Sequence, residues 1–279
     1  MEKYDLLPKQ LLHEGTCTKE NFFEPKLAAN EDILRVHTAK YLKNLKELTI
    51  DARATRKTGF PLSAGLVERE IKIAGGTIQG CEYAREFGIA FNIAGGTHHA
   101  YAGHGEAFCL LNDQAIAARY LQHNDLAKKI LIVDLDVHQG NGTASIFEED
   151  DSVFTFSMHG KNNYPFKKET SNLDIALPDG TGDDEYLKIL KKTLPSLIEQ
   201  LQPDFIFYLS GVDIISTDKL GKLGCSVAGC RERDRYVLQS CHDQNIPVQV
   251  SMGGGYSPDI KTIIEAHANT YRLAQEIYF

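Results

Sequence analysis

The 279-residue chain has no tryptophan, only three methionines, and no C-x-x-C pair among its six cysteines. Cys17, Cys81, Cys109, Cys225, Cys230 and Cys241 therefore make neither a zinc knuckle nor a redox pair, and a chain of this length needs no disulfide staples. All six read as reduced thiols, most of them small buried apolar residues. No stretch approaches the roughly eighteen apolar residues that span a bilayer. The opening MEKYDLLPKQLLHEG has no apolar centre of the kind a signal peptide carries. A soluble, intracellular, cytoplasmic protein is expected. A surplus of basic charge is missing too: the net charge is −8, which argues against direct nucleic-acid binding and suits a cationic substrate. Neither an internal repeat nor a low-complexity tract nor a Pro/Ser-rich linker divides the chain, so 1–279 is expected to form one domain.

Short, continuous, β-rich apolar runs read as buried parallel strands. They are GIAFNIAGG (88–96), KILIVDLDVH (129–138), SVFTFSMH (152–159), FIFYLSGVD (205–213) and IPVQVSMGGGY (246–256). Helical patterns occupy 107–122, 183–201, 231–244 and 260–278. Alternation of strand and helix predicts an α/β fold: three layers, with a mostly parallel β-sheet flanked by helices on both faces.

Four of the strands end in polar, glycine-rich segments: GGTHHAYAGHG, DLDVHQGNGT, SGVD and GGGY. Parallel sheets bind ligands beyond the carboxyl ends of their strands, so these four clusters are expected to meet. Asp136 and His138, in D-x-H, and Asp213 offer two carboxylates and an imidazole with a coordination position left open, the donor set of a catalytic zinc site. The adjacent His98 and His99 suit proton transfer near neutral pH. Gly254 and Gly255 let the backbone approach a substrate closely, and the Tyr256 phenol can donate to a developing oxyanion. His104 and His159 have no such neighbours and read as loop residues outside the site.

Taken in order and spacing, GGTHHA (95–100), AFC (107–109), DLDVHQGNGT (134–143), SMH (157–159), SGVD (210–213), DKLG (218–221) and GGGY (253–256) resemble the histone deacetylase family, of the arginase–deacetylase fold. The D-V-H-Q-G-N-G version is most similar to class IV members and their bacterial relatives. The resemblance implies zinc at Asp136, His138 and Asp213, with ferrous iron also accommodated by those ligands. It implies His99 as general base and then acid, His98 as its electrostatic partner held by Asp134, and Tyr256 beside the oxyanion. Phe108 would wall the acyl-lysine tunnel and Leu220 would stand at its rim. A structural potassium ion would be held by Asp134 and Ser157 with main-chain carbonyls of Asp136, His138 and Met158. Asn141 replaces the aspartate of class I enzymes. A neutral amide does not stabilise an imidazolium, so His99 should be the less basic histidine of the pair.

Relatives begin with a short strand and a loop reading roughly H-R-F-P-M, and Met1 falls on that motif's methionine. The first strand is thus expected to be absent, leaving a sheet edge shorter and the pocket mouth more open. The implied reaction is hydrolysis of an N-acyl-lysine in a protein or peptide. An acylated polyamine is the alternative substrate, and a catalytically silent acyl-lysine binding module is the alternative role. An arginase-like dimanganese site would need more aspartates around the D-x-H than are present.

Overall fold

A computed structural model describes residues 2–279; Met1, where the resemblance placed the family's methionine, lies outside them. Six strands form one parallel sheet: β1 (Ile89–Asn92), β2 (Ile130–Asp134), β3 (Val153–Gly160), β4 (Leu173–Leu177), β5 (Phe205–Leu209) and β6 (Val248–Ser251). Their spatial order is β1-β6-β5-β2-β3-β4, with every neighbouring pair parallel. The helices are α1 (Lys3–Glu14), α2 (Asn30–Ile33), α3 (Ala39–Lys46), α4 (Ala52–Thr58), α5 (Ala64–Phe87), α6 (Asp113–His123), α7 (Asn141–Phe147), α8 (Asp183–Leu201), α9 (Val227–Asp243) and α10 (Ile260–Tyr278).

Alternation along the central strands sorts the core into two layers. Leu131 and Val133 of β2, with Ile206 and Tyr208 of β5, pack on α8, α9 and α10 through residues such as Leu190, Val237 and Leu273. Ile130, Ile132, Phe205 and Phe207 face the other way, onto α3, α5 and α6. Each such aliphatic side chain taken fully from water contributes roughly 1.5–3 kcal/mol. A third cluster seats α1 against α10 through Leu7, Leu11, Ile264 and Ala268. The expected sheet with helices on both faces is the one observed. Among the described residues, no helix is long and apolar enough to cross a membrane. All six cysteines are free.

Several expectations need correction. The helix expected from 107 begins at Asp113, capped by the Asn112 side chain, which accepts from the Ala115 amide at 3.1 Å. Residues 107 and 108 form a turn instead, with φ of 43° and 68°. Their amides donate to the carbonyls of Lys57 and Thr58 at 2.9 and 2.8 Å, a tertiary tie that outweighs the local helical pattern. The helix expected from 231 starts earlier, at Val227, where the Ser226 hydroxyl accepts from the Gly229 amide. Edge strand β4 was not anticipated, nor was α5, whose interior Gly75 and Gly76 each weaken a helix by about 1 kcal/mol. Gly75 has a packing reason: a Cβ there would stand 1.9 Å from the carbonyl oxygen of Lys26.

Candidate active site

The four strands expected to carry the polar clusters, β1, β6, β5 and β2, are consecutive in the sheet. Because they are parallel, their carboxyl ends share one edge, and the segments leaving them close over a cavity of about 490 Å³. The strands are shorter than expected. β2 stops at Asp134 and β5 at Leu209, so Asp136, His138 and Asp213 stand on the loops beyond. Their side chains nonetheless meet: the three offer ligand atoms all within 4.8 Å of one another. Backbone amides aim them, as Gly254 donates to Asp136 Oδ2 at 2.8 Å and Val137 donates to Asp213 Oδ1 at 2.9 Å.

His138 Nδ1 lies 3.0 Å from Asp136 Oδ1 and 3.3 Å from Asp213 Oδ2. Burial alone would make His138 less basic, but the two carboxylates carry it up to about 10. Burial, joined by repulsion from Asp136, pushes Asp213 up to about 7. Asp213 Oδ2 is buried without a hydrogen-bond partner, an arrangement that is costly unless something satisfies it. A divalent cation would satisfy that oxygen and neutralise both carboxylates, so the donor set fits a metal. Gly254 leaves the space: a Cβ at that position would fall 1.9 Å from Asp213 Oδ2.

The two histidines sit beside this group with their rings 4.1 Å apart, but in different surroundings. His98 Nδ1 is 2.7 Å from Asp134 Oδ2. Burial opposes its charge, yet Asp134 raises it to about 8. His99 Nδ1 is 2.6 Å from Asn141 Oδ1. Burial and the charges of His98 and His138 hold His99 well below the usual histidine range. A chain of donors sets its tautomer: Tyr101 donates to Glu169 at 3.1 Å, and the Asn141 amide nitrogen donates to the Tyr101 oxygen at 3.0 Å. Asn141 Oδ1 must then accept from His99 Nδ1, leaving Nε2 with its lone pair.

Tyr256 lines the cavity, its amide donating to Asp218 Oδ2 at 2.6 Å. Burial, then Asp136 and Asp213, keeps its phenol protonated, with a pKa well above the ordinary tyrosine value. Phe108, Leu220 and Gly254 line the cavity as well. Gly255 does not: it packs toward Val212 and His267. Asp134 and Ser157 face each other in the β2–β3 register, and Met158 comes next on β3, fully buried. His159 is on β3 rather than in a loop, buried, with Nδ1 3.0 Å from Ser157 Oγ. His104 is a loop residue stacked on Tyr101, and neither it nor His159 lines the cavity.

Sequence reasoning missed several residues of the site. The ring of Tyr164 meets His99 edge-on at 5.1 Å, and Phe60 packs on Phe108 at 5.2 Å. Both come from irregular loops with no periodic signal. Arg233 on α9 is wholly buried and donates to the carbonyls of Leu135, Ser210 and Gly211, beneath the metal-ligand loops. An arginine among the charged residues of RERDR gives no sign of pointing inward.

The course of the chain is shared with solved structures. A histone deacetylase homolog from Aquifex aeolicus superposes with a TM-score of 0.82, at 25% identity, over 95% of this chain and 76% of that one. The HDA15 HD domain superposes at 0.81, with 22% identity, over 99% of this chain and 81% of that one. The fold is therefore the arginase–deacetylase fold. More narrowly, the histone deacetylase domain matches residues 1–271, and the chain belongs to the histone deacetylase family. It is similar to an uncharacterized protein of Picosynechococcus sp., with 45% identity over all of this chain and 93% of that one. Histone deacetylase 2 of Arabidopsis thaliana is 31% identical over 94% of this chain and 70% of its own length. A probable deacetylase of Archaeoglobus fulgidus is 31% identical over 89% and 73%. Membership makes the chain a deacetylase-type enzyme, acting by hydrolysis.

Proposed function

We propose that this protein hydrolyses the side-chain amide of N-acyl-lysine with zinc as its metal, ferrous iron being compatible with the same ligands. The observation that carries the proposal is the meeting of Asp136, His138 and Asp213 at the floor of a cavity that His98 and His99 also line. When bound, the ion polarises the amide carbonyl and makes water a stronger acid. His99, with Nε2 free, accepts the proton from the attacking water and returns it to the leaving lysine nitrogen. A C–O bond forms and the C–N bond breaks, giving a carboxylic acid and a free amine. His98, charged beside Asp134, offsets negative charge developing nearby. Tyr256 donates its phenolic proton in a hydrogen bond to the oxyanion. Phe108, Phe60 and Leu220 flank the lysine methylenes, and Gly254 lets the backbone come close. Asp134 and Ser157, with carbonyls of Asp136, His138 and Met158, form the proposed potassium site. The β2–β3 register that sets Asp134 opposite Ser157 supports it.

One catalytic domain over 1–279 accords with two core layers sharing a single sheet. Six unpaired thiols favour a reducing, cytoplasmic setting. The D-V-H-Q-G-N-G segment supports a class IV affinity. The test is a panel of lysine peptides bearing acetyl, butyryl, octanoyl and myristoyl groups, incubated with zinc-loaded enzyme. Release of free lysine from at least one is expected. A fully metallated protein that binds such peptides without cleaving any would make it an acyl-lysine binding module.

A further inference from the structure

The net charge of −8 suggests a cationic substrate, but the exposed charged side chains lining the cavity mouth are of the opposite sign. The exposed charged side chains that line its outer wall are cations, Lys57 at the end of α4 and Lys222 beyond the Leu220 loop. Neither ammonium enters an ion pair among the described residues. Acids close to the mouth are already engaged. Glu106 accepts from the Tyr164 hydroxyl and lies 3.5 Å from His104. Asp218 accepts from the amides of Leu220, Gly221 and Tyr256 at 2.6 to 2.9 Å. The remaining lining acids, Glu70, Asp136 and Asp213, are buried.

The two lysines stand on braced loops. Ala107 donates to the Lys57 carbonyl at 2.9 Å, and Asn163 bridges the Leu220 carbonyl and the Lys222 amide at 2.6 and 3.2 Å. At the same mouth Phe166, 90% exposed, presents apolar surface. A polypeptide can cover that ring, whereas a slender polyamine bearing further ammonium groups would meet Lys57 and Lys222 in repulsion.

Resting on the deacylase reading, we propose that the rim selects acyl-lysines carried on acidic stretches of polypeptide, and disfavours basic segments and free acylated polyamines. Lys57 and Lys222 receive carboxylates flanking the acylated residue, while that residue occupies the cavity. Partner charges of this exposed kind act mainly on encounter and are screened by salt.

The experiment uses zinc-loaded enzyme and one acyl-lysine placed between acidic, neutral or basic flanks, with acetylspermidine alongside. For wild type, kcat/KM is expected to be about five- to tenfold higher for the acidic than for the basic peptide, the scale of two exposed charge pairs. The ratio should fall toward one in 0.5 M salt. Lys57→Glu/Lys222→Glu should invert it, and circular dichroism would verify the variant's fold. Equal rates on all three peptides, an unchanged ratio in the folded variant, or acetylspermidine as the best substrate would overturn the inference while leaving the deacylase reading intact. Absence of turnover on every amide would overturn both.

Discussion

The guanidinium of Arg233 lies 2.6 Å from the carbonyl oxygen of Gly211, two residues before the proposed metal ligand Asp213. The same group reaches the Leu135 carbonyl at 3.1 Å, next to Asp136, and is anchored by Asp234, itself held by Tyr208 and Thr270. One buried fork thus ties together the two loops that carry the carboxylates. Arg233→Lys keeps the charge but loses the fork. Zinc affinity, measured by competition with a chromophoric chelator, should fall about ten- to a hundredfold, the range for outer-shell partners of a metal site. Undiminished affinity in the folded variant would leave Arg233 a purely structural residue.

Gly254→Ala should separate metal binding from folding. Its methyl group would occupy the space of Asp213 Oδ2, so the carboxylate has to turn away. Circular dichroism is expected to stay near wild type while zinc stoichiometry drops well below one per chain. A variant that still binds one tight zinc would remove Asp213 from the ligand set.

Asn141→Asp addresses the proton-transfer pair. His99 must be neutral to accept a proton, so activity declines as pH falls through its pKa, which burial and the charge of neighbouring His98 depress. A carboxylate 2.6 Å from Nδ1 would favour imidazolium and raise that pKa. The acidic limb of the pH–rate profile is therefore expected to move up by roughly one pH unit or more. An unmoved limb would mean that another group governs it.

Tyr256→Phe removes the phenolic donor and leaves the ring. Turnover on an acyl-lysine peptide should drop by roughly two to three orders of magnitude, with KM little changed, as for loss of one oxyanion donor. A wild-type rate would take Tyr256 out of the mechanism.

Local regularity made much of the fold legible. The amphipathic patterns at 183–201 and 260–278 coincide with α8 and α10, because helical spacing is written in residues three and four apart. The apolar runs located five of the six strands, and polar residues from all four segments that follow them line the cavity. Asp136, His138 and Asp213 were legible as a set from residue type and from their place at the ends of those runs.

Other features depend on contacts between residues distant in the chain, and no local pattern encodes those. The order β1-β6-β5-β2 makes four separated clusters neighbours, and it arises from how helices pack over both faces of the sheet. The turn at Ala107 and Phe108 exists because Lys57 and Thr58 accept its amides. Which nitrogen of His99 stays free depends on a chain running through Asn141 and Tyr101 to Glu169. Net charge could not foretell the mouth, where folding engages or buries the nearby acids and leaves Lys57 and Lys222 open to solvent. The amino-acid sequence thus determined which groups were available for the chemistry. Tertiary packing decided which of them meet, which are satisfied internally, and which remain free to act.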